Sequence, residues 1–332
     1  TSAGWAGRMG DLLMGVNGQG QGDDAYLIRR YFTCMTPTNA SVWLSGNMVM
    51  PYQSSTTKVL TLGSSDKIYG STALQAAAAS FMSQTGRNDM LAIDHEQVVQ
   101  RSLRASALLA GSLPALGTAP WSTPGMSNAS TDPMLQYLSP STQTYKTNNL
   151  AVQLQMVARL IAARNDLGNR RQVFFVSMGG FDLHDNLING QATLMTRLST
   201  ALTAFYEATA ALGIADKVTT FTASDFGRTL TSNGDGSDHG WGSHHFMVGG
   251  AVQGKAFYGK APPVSVGNST TDVNDQWHVG QGRLLPSTSV DQYAATLAKW
   301  FGVANGEMAG VLPNLSHFGG ADYPTDLGFM AA

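Results

Sequence analysis

Between residues 150 and 226 the sequence alternates helix and strand signals with almost no slack, and that alternation limits the fold more than any other feature. Leu150, Leu154, Val157 and Ile161 recur at helical spacing, the period that turns one face of a helix toward a core. After "NDLGNRR" comes "QVFFVSMGG", a short continuous apolar run of buried-strand type. A second helix follows, with Leu194, Leu198, Leu202, Phe205 and Leu212 on one stripe and Gly213 at its end, where helix termini favour glycine. Then "KVTTFTASDF" reads as another strand. Helix, strand, helix, strand at this spacing predicts βαβ crossovers and a mostly parallel sheet covered on both faces.

Other segments are less regular. Residues 42–62 read as two short strands around a proline turn, and Ser71 to Leu109 as one or two Ala- and Leu-rich helices carrying His95 on their surface. Residues 111–147 are rich in Pro, Gly, Ser and Thr without a period, the pattern of a long surface excursion or linker. "HHFMVGGAV" and "GKAFYG" are candidates for two further strands. Ser289 and Gln292 form a capping box for a last helix that ends at Gly302. The expected organisation is an accessory part over 1–147 and an α/β core over 148–332, together one continuous domain.

Composition removes several function classes. The 332 residues carry a formal charge of -2 and no long Lys/Arg run, so the electrostatic footprint of a nucleic-acid binder is missing. Cys34 is the single cysteine, which rules out an internal disulfide and any site needing several sulfurs. No apolar run approaches the roughly 20 residues that span a bilayer. The low charged fraction of 13%, with 37 glycines, is the polar, uncharged character of many exported proteins.

Chemistry concentrates in three clusters. These are "GGFDLHDN" with Asp182, His184 and Asp185, "ASDFGR" with Asp225 and Arg228, and "SDHGWGSHH" with Asp238, His239, His244 and His245. The first two follow predicted strands, and in parallel α/β sheets the carboxyl ends of strands face the ligand crevice. Asp182 and His184 are two apart, so in extended chain both point to one side. Imidazole with carboxylate suits zinc, manganese or iron better than calcium or magnesium. Two such ions about 4 Å apart are the arrangement for in-line displacement at phosphorus or sulfur. Taken singly, each cluster also reads as a capped helix start, a salt-bridged Asp or a Gly-rich loop.

At these residues the chain resembles the bacterial family catalogued as domain of unknown function 1501, whose members show a Gly-(Trp/Phe)-Asp-x-His segment, a "(S/D)(E/D)FGR" strand end and a "DHG.G" loop. Here they stand as "GGFDLHDN" and "TASDFGRTLTSNGDGSDHGWGSHHFMVGGAVQGKAFYG", with "GRLLPSTSVDQYAATLAKWFGV" later. That family is similar to the alkaline phosphatase and sulfatase superfamily. The resemblance implies a three-layer α/β/α sandwich, metal ligands drawn from Asp182, His184, Asp225, His239 and His244, and one or two ions, zinc or manganese. Asp225-Phe226 stands where many superfamily members have Asp-His, which shifts a ligand role to His239. Family members carry a further strand ahead of the segment matching "GWAGRMGDLL", and in the superfamily the nucleophile comes from that part. The chain is therefore expected to lack that part of the pattern and to associate with an upstream fragment of the same precursor or another subunit. Ser45, Ser177, Ser224 and Ser243 are read as structural.

The function expected is a metal-dependent hydrolase of phosphate or sulfate esters acting on a small anionic substrate, with Arg228 or His245 steadying the anion. An export signal of twin-arginine type, usual in the family, implies a periplasmic or extracellular location. The alternative is a non-catalytic exported binding or assembly protein that keeps the fold.

Overall fold

A computed structural model of the chain describes residues 3–39, 41–63, 67–84, 89–269 and 271–331. In chain order the helices are α1 (Trp5–Leu13), α2 (Ala25–Tyr31), α3 (Thr72–Met82), α4 (Met90–Ser112), α5 (Asn149–Ala162), α6 (Leu187–Ala211), α7 (Val290–Phe301) and the one-turn α8 (Met308–Val311). The strands are β1 (Cys34–Thr36), β2 (Tyr52–Gln53), β3 (Gln136–Leu138), β4 (Tyr145–Thr147), β5 (Val173–Phe174), β6 (Thr219–Phe221), β7 (Gly227–Ser232), β8 (Ser237–Gly240) and β9 (Met247–Gly249). The fold is mixed α/β, and it divides into two compact units: residues 1–116 with 155–176, and residues 117–154 with 177–332. Among the described residues no helix is long and apolar enough to cross a membrane.

The first unit holds a three-stranded parallel sheet in the order β2-β1-β5, with Met35 opposite both Tyr52 and Phe174. Leu27, Ile28, Phe32, Leu109, Met156 and Leu160 form the heart of its core, each at most 2% exposed. Burial of such side chains contributes about 2 kcal/mol apiece before entropy is set against it. His95 is exposed on α4, as its sequence context implies. Residues 42–62, expected as two strands, contain only β2. Val42–Leu44 is a 3-10 turn whose first residue is preceded by Ser41, which accepts from Trp43 N at 3.2 Å. The following segment cannot extend a ladder either, because the Asp11 carboxylate takes the N–H groups of Asn47, Met48 and Val49 at 2.6, 2.8 and 2.6 Å.

In the second unit, α6 buries Leu194, Ala201, Phe205 and Ala208, a stripe at helical spacing. It ends at Ala211, two residues before Gly213, which adopts φ +70°, a conformation that costs other residues a steric penalty. The capping box at the start of α7 is present: Ser289 accepts from Asp291 N at 3.1 Å, and the Gln292 side chain accepts from Ser289 N at 3.0 Å. Strand β6 does not join β5 by a parallel crossover. It pairs antiparallel with β9, Thr220 opposite Val248. The helix-strand alternation is thus real, but β5 and β6 belong to different sheets.

The stretch over 117–147 is more ordered than a linker. Strands β3 and β4 form an antiparallel hairpin. Asp132, fully buried, accepts from Thr123 N at 3.1 Å, Thr123 Oγ1 at 2.8 Å and Met134 N at 3.0 Å. A single acid satisfied by local donors orders a segment in which hydrophobic periodicity shows nothing. "GKAFYG", a strand candidate, forms no strand.

Candidate metal centre

Two segments of the second unit build the site. One is the loop ahead of α6, which carries Asp182 and His184; the other is the β7–β8 hairpin, which pairs Arg228 directly opposite His239. Residues directly opposite in an antiparallel pair lie on one face of the ribbon, so guanidinium and imidazole face the same side. Gly227 is required here, since a Cβ would fall 1.9 Å from Gly242 O.

The hairpin is docked to the loop by its tip. Asn186 N donates to Asp235 Oδ2 at 2.9 Å and Leu187 N donates to Asp235 O at 3.1 Å, which satisfies backbone donors left free at the start of α6. Gly236 passes so close that a Cβ on it would lie 2.2 Å from His184 O. Arg228 adds a second tie: its guanidinium donates to Ser237 O at 2.5 Å and to Phe181 O.

These ties bring three groups onto one carboxylate oxygen. Asp182 Oδ1 lies 2.6 Å from His239 Nε2, 3.2 Å from His184 Nδ1 and 3.6 Å from Arg228 Nη2. One donor atom each from Asp182, His184 and His239 fall within 4.8 Å of one another. Phe226 stacks on His239 with ring centres 4.0 Å apart and planes 10° off parallel, and the Arg228 guanidinium sits 5.2 Å from the Phe226 ring centre. The imidazole plane is thereby fixed. The hydrogen bond from His239 holds the Asp182 carboxyl below its ordinary value; desolvation works against it, and the charges of His184, His239 and Arg228 reinforce it. The side chains of Asp182, His184 and His239 remain 60%, 45% and 47% exposed, so the site is open to solvent.

The two contacts to Asp182 have close to the spacing of ligands around one ion. Ligands at about 2.1 Å from an ion lie roughly 3 to 3.4 Å apart at right-angled to tetrahedral openings. The His184 contact already has that spacing, and the His239 contact reaches it by opening a few tenths of an ångström. Two imidazoles and one carboxylate leave the remaining coordination positions for water or substrate.

The other sequence candidates lie outside this group. Asp225 is exposed in the turn between β6 and β7. His244 has its ring 6.5 Å from Phe257. His245 stands 3.4 Å from Thr222 Oγ1 and stacks on Tyr293 at 6.0 Å; burial, and secondly the charge of His244, push its imidazole below its ordinary value. Ser224 Oγ donates to Phe226 O at 3.0 Å, a structural bond. Sequence reasoning missed Asp235, Gly236 and Phe226. "NGDG" at 233–236 is a hairpin-turn signal that would have located the first two, whereas nothing in the sequence marks Phe226 as the ring beside His239.

The fold and the site together define a mixed α/β protein with an exposed Asp/His cluster at a loop–hairpin junction. The chain belongs to the family described as "Protein of unknown function (DUF1501)", whose pattern matches residues 65–306. No curated protein and no solved structure matches the chain.

Proposed function

We propose that the chain is a metal-dependent hydrolase of phosphate or sulfate esters, related to the alkaline phosphatase and sulfatase superfamily and, with it, to a three-layer α/β/α architecture. The observation that carries the reading is the convergence of Asp182, His184 and His239 from two segments onto one point. Asp182, His184 and His239 would hold the ion, zinc or manganese. Such an ion supplies a Lewis acid for the ester oxygen and acidifies water. Asp182 is ionised at neutral pH, and the downward push on its carboxyl keeps it so into more acidic solution, so a ligand is ready without a proton being displaced. Arg228, 22% exposed at its side chain and 3.6 Å from Asp182 Oδ1, contributes fixed positive charge where an anionic ester would approach. Phe226 and the Asp235–Asn186 tie keep the two halves of the site in register. Asp225 and His244 remain candidates for a second ion, and His245 for contact with the anion. The periplasmic or extracellular location belongs to the same reading and is supported by the polar, weakly charged composition.

Metal analysis of chelator-free protein, followed by assays of aryl phosphates and aryl sulfates with added zinc or manganese, tests it. About one ion per chain and turnover abolished in Asp182→Ala are expected. Protein that stays metal-free, with a melting temperature indifferent to chelator and to both ions, would sink the reading. One observation favours the alternative of a non-catalytic exported binding protein: Asp182 is already partnered by His239 at 2.6 Å and flanked by Arg228, a network that is balanced without an ion.

A further inference from the structure

A shallow depression of about 290 Å³ lies against the start of α6, just under the roughly 300–1,000 Å³ of small-molecule sites. It shares residues with the ligand loop: Gly180 precedes Asp182 by two positions, and Leu183 lies between Asp182 and His184. Its floor is apolar, from Leu183 and Leu194. Its rim is polar and carries no charge, formed by Ser141, Asn186, Asn189 and Thr193.

The rim has a defined orientation. Asn189 Nδ2 donates to Asn186 Oδ1 at 2.8 Å, which leaves the Asn186 Nδ2 hydrogens and the Asn189 side-chain Oδ1 without partners among the described residues. An open donor beside an open acceptor is met by hydroxyl groups, each of which gives and takes a hydrogen bond. Asn186 is held in the left-handed region at φ 49°, an unfavourable conformation for a side-chain-bearing residue. The Asp235 carboxylate holds it there through its N–H. Gly190 leaves the space that Leu183 fills, since a Cβ on it would come 2.8 Å from the Leu183 side chain. An apolar floor with an uncharged, two-way hydrogen-bonding rim discriminates against charged or purely apolar groups, because their solvation would not be replaced.

We propose that this depression receives a neutral sugar or polyol. The proposal does not rest on the ester-hydrolase reading and is independent of any ion.

Saturation-transfer NMR with a panel of neutral methyl monosaccharides, run on the whole chain with benzoate and glycine as controls, tests it. Transfer to ring protons of at least one sugar and to neither control is expected. In Asn189→Ala, a change on the exposed face of α6, binding should weaken roughly fivefold to tenfold, the cost of one lost hydrogen bond. Circular-dichroism melting establishes that the variant is folded, and Asn186→Gly, which relieves the backbone strain while removing the amide, provides a second check. In Asp182→Ala sugar binding should persist. No transfer to any sugar, or transfer unchanged in both variants, overturns the proposal even if metal and aryl-ester turnover are found. Sugar binding in a protein without metal or turnover would overturn only the hydrolase reading.

Discussion

Asn17 in the first unit and Asp182 in the second are both polar hubs, built on opposite plans. Asn17 is fully buried and spends its whole amide on fixed partners: it donates to Thr33 Oγ1 and Arg171 O at 2.7 and 2.8 Å and accepts from Arg170 N and Arg171 N at 2.7 and 2.9 Å. That is every hydrogen bond an Asn amide commonly makes, and three of the four go to backbone. Asp182 is exposed, its neighbours are titratable side chains, and its contacts converge on one oxygen. A hub that holds a fold together uses up its capacity on the chain. A hub that can take a ligand keeps its capacity on side chains facing water.

The largest effect expected from this contrast is on stability. Asn17→Ala strands several buried groups and should cost about 3 kcal/mol in urea unfolding, whereas Asp182→Ala should leave the melting temperature of metal-free protein unchanged. Equal losses would erase the distinction. Next in size is Gly236→Ala, which forces backbone apart at His184; zinc affinity by competition titration should fall about 10- to 100-fold, as when the support of a ligand is lost. An unaffected affinity would mean that the hairpin does not position the loop.

The buried half should also be chemically inert. Burial, and secondly the Asp11 carboxylate, push the Cys34 thiol up to about 12, so native protein should resist iodoacetamide at pH 8 while urea-unfolded protein reacts. Because the folded value is the higher one, this stability contribution is complete below the ordinary thiol value. It is lost progressively as pH rises from there toward about 12. Cys34→Ala should lack that alkaline slope, and a slope of the same size in both proteins would assign it elsewhere. The smallest effect is that of Asp235→Asn, which removes a negative charge from the start of α6 and should cost about 0.5 kcal/mol, less at high salt. A loss independent of salt would mean that the hydrogen bond, and not the charge, matters.

What the sequence revealed follows the range of the forces involved. The α7 capping box and the αL Gly213 after α6 depend on residues a few positions apart, and both were legible. The meeting of Asp182, His184 and His239 was foreshadowed by period-two spacing and by the density of histidines. Strand pairing was not legible, because β6 chooses β9 over a parallel neighbour through contacts distant in sequence. Asp132 looked like one more polar residue in a Pro/Ser-rich stretch, yet its burial among Thr123 and Met134 donors orders that stretch. Asp225 and His244 match the others in residue type, and only the folded geometry distinguishes them from the three that converge.

The two halves of the centre are 57 residues apart along the chain, and this has a consequence during synthesis. At roughly 5–20 residues per second, Asp182 and His184 leave the ribosome about 3 to 11 seconds before His239 exists. Through that interval the loop has neither its imidazole partner nor the Asp235 tip that fixes the start of α6. On the proposed reading, an ion that needs all three side chains would be held only once the hairpin is finished, so the nascent chain would pass the cell's free metal pool with an incomplete claw.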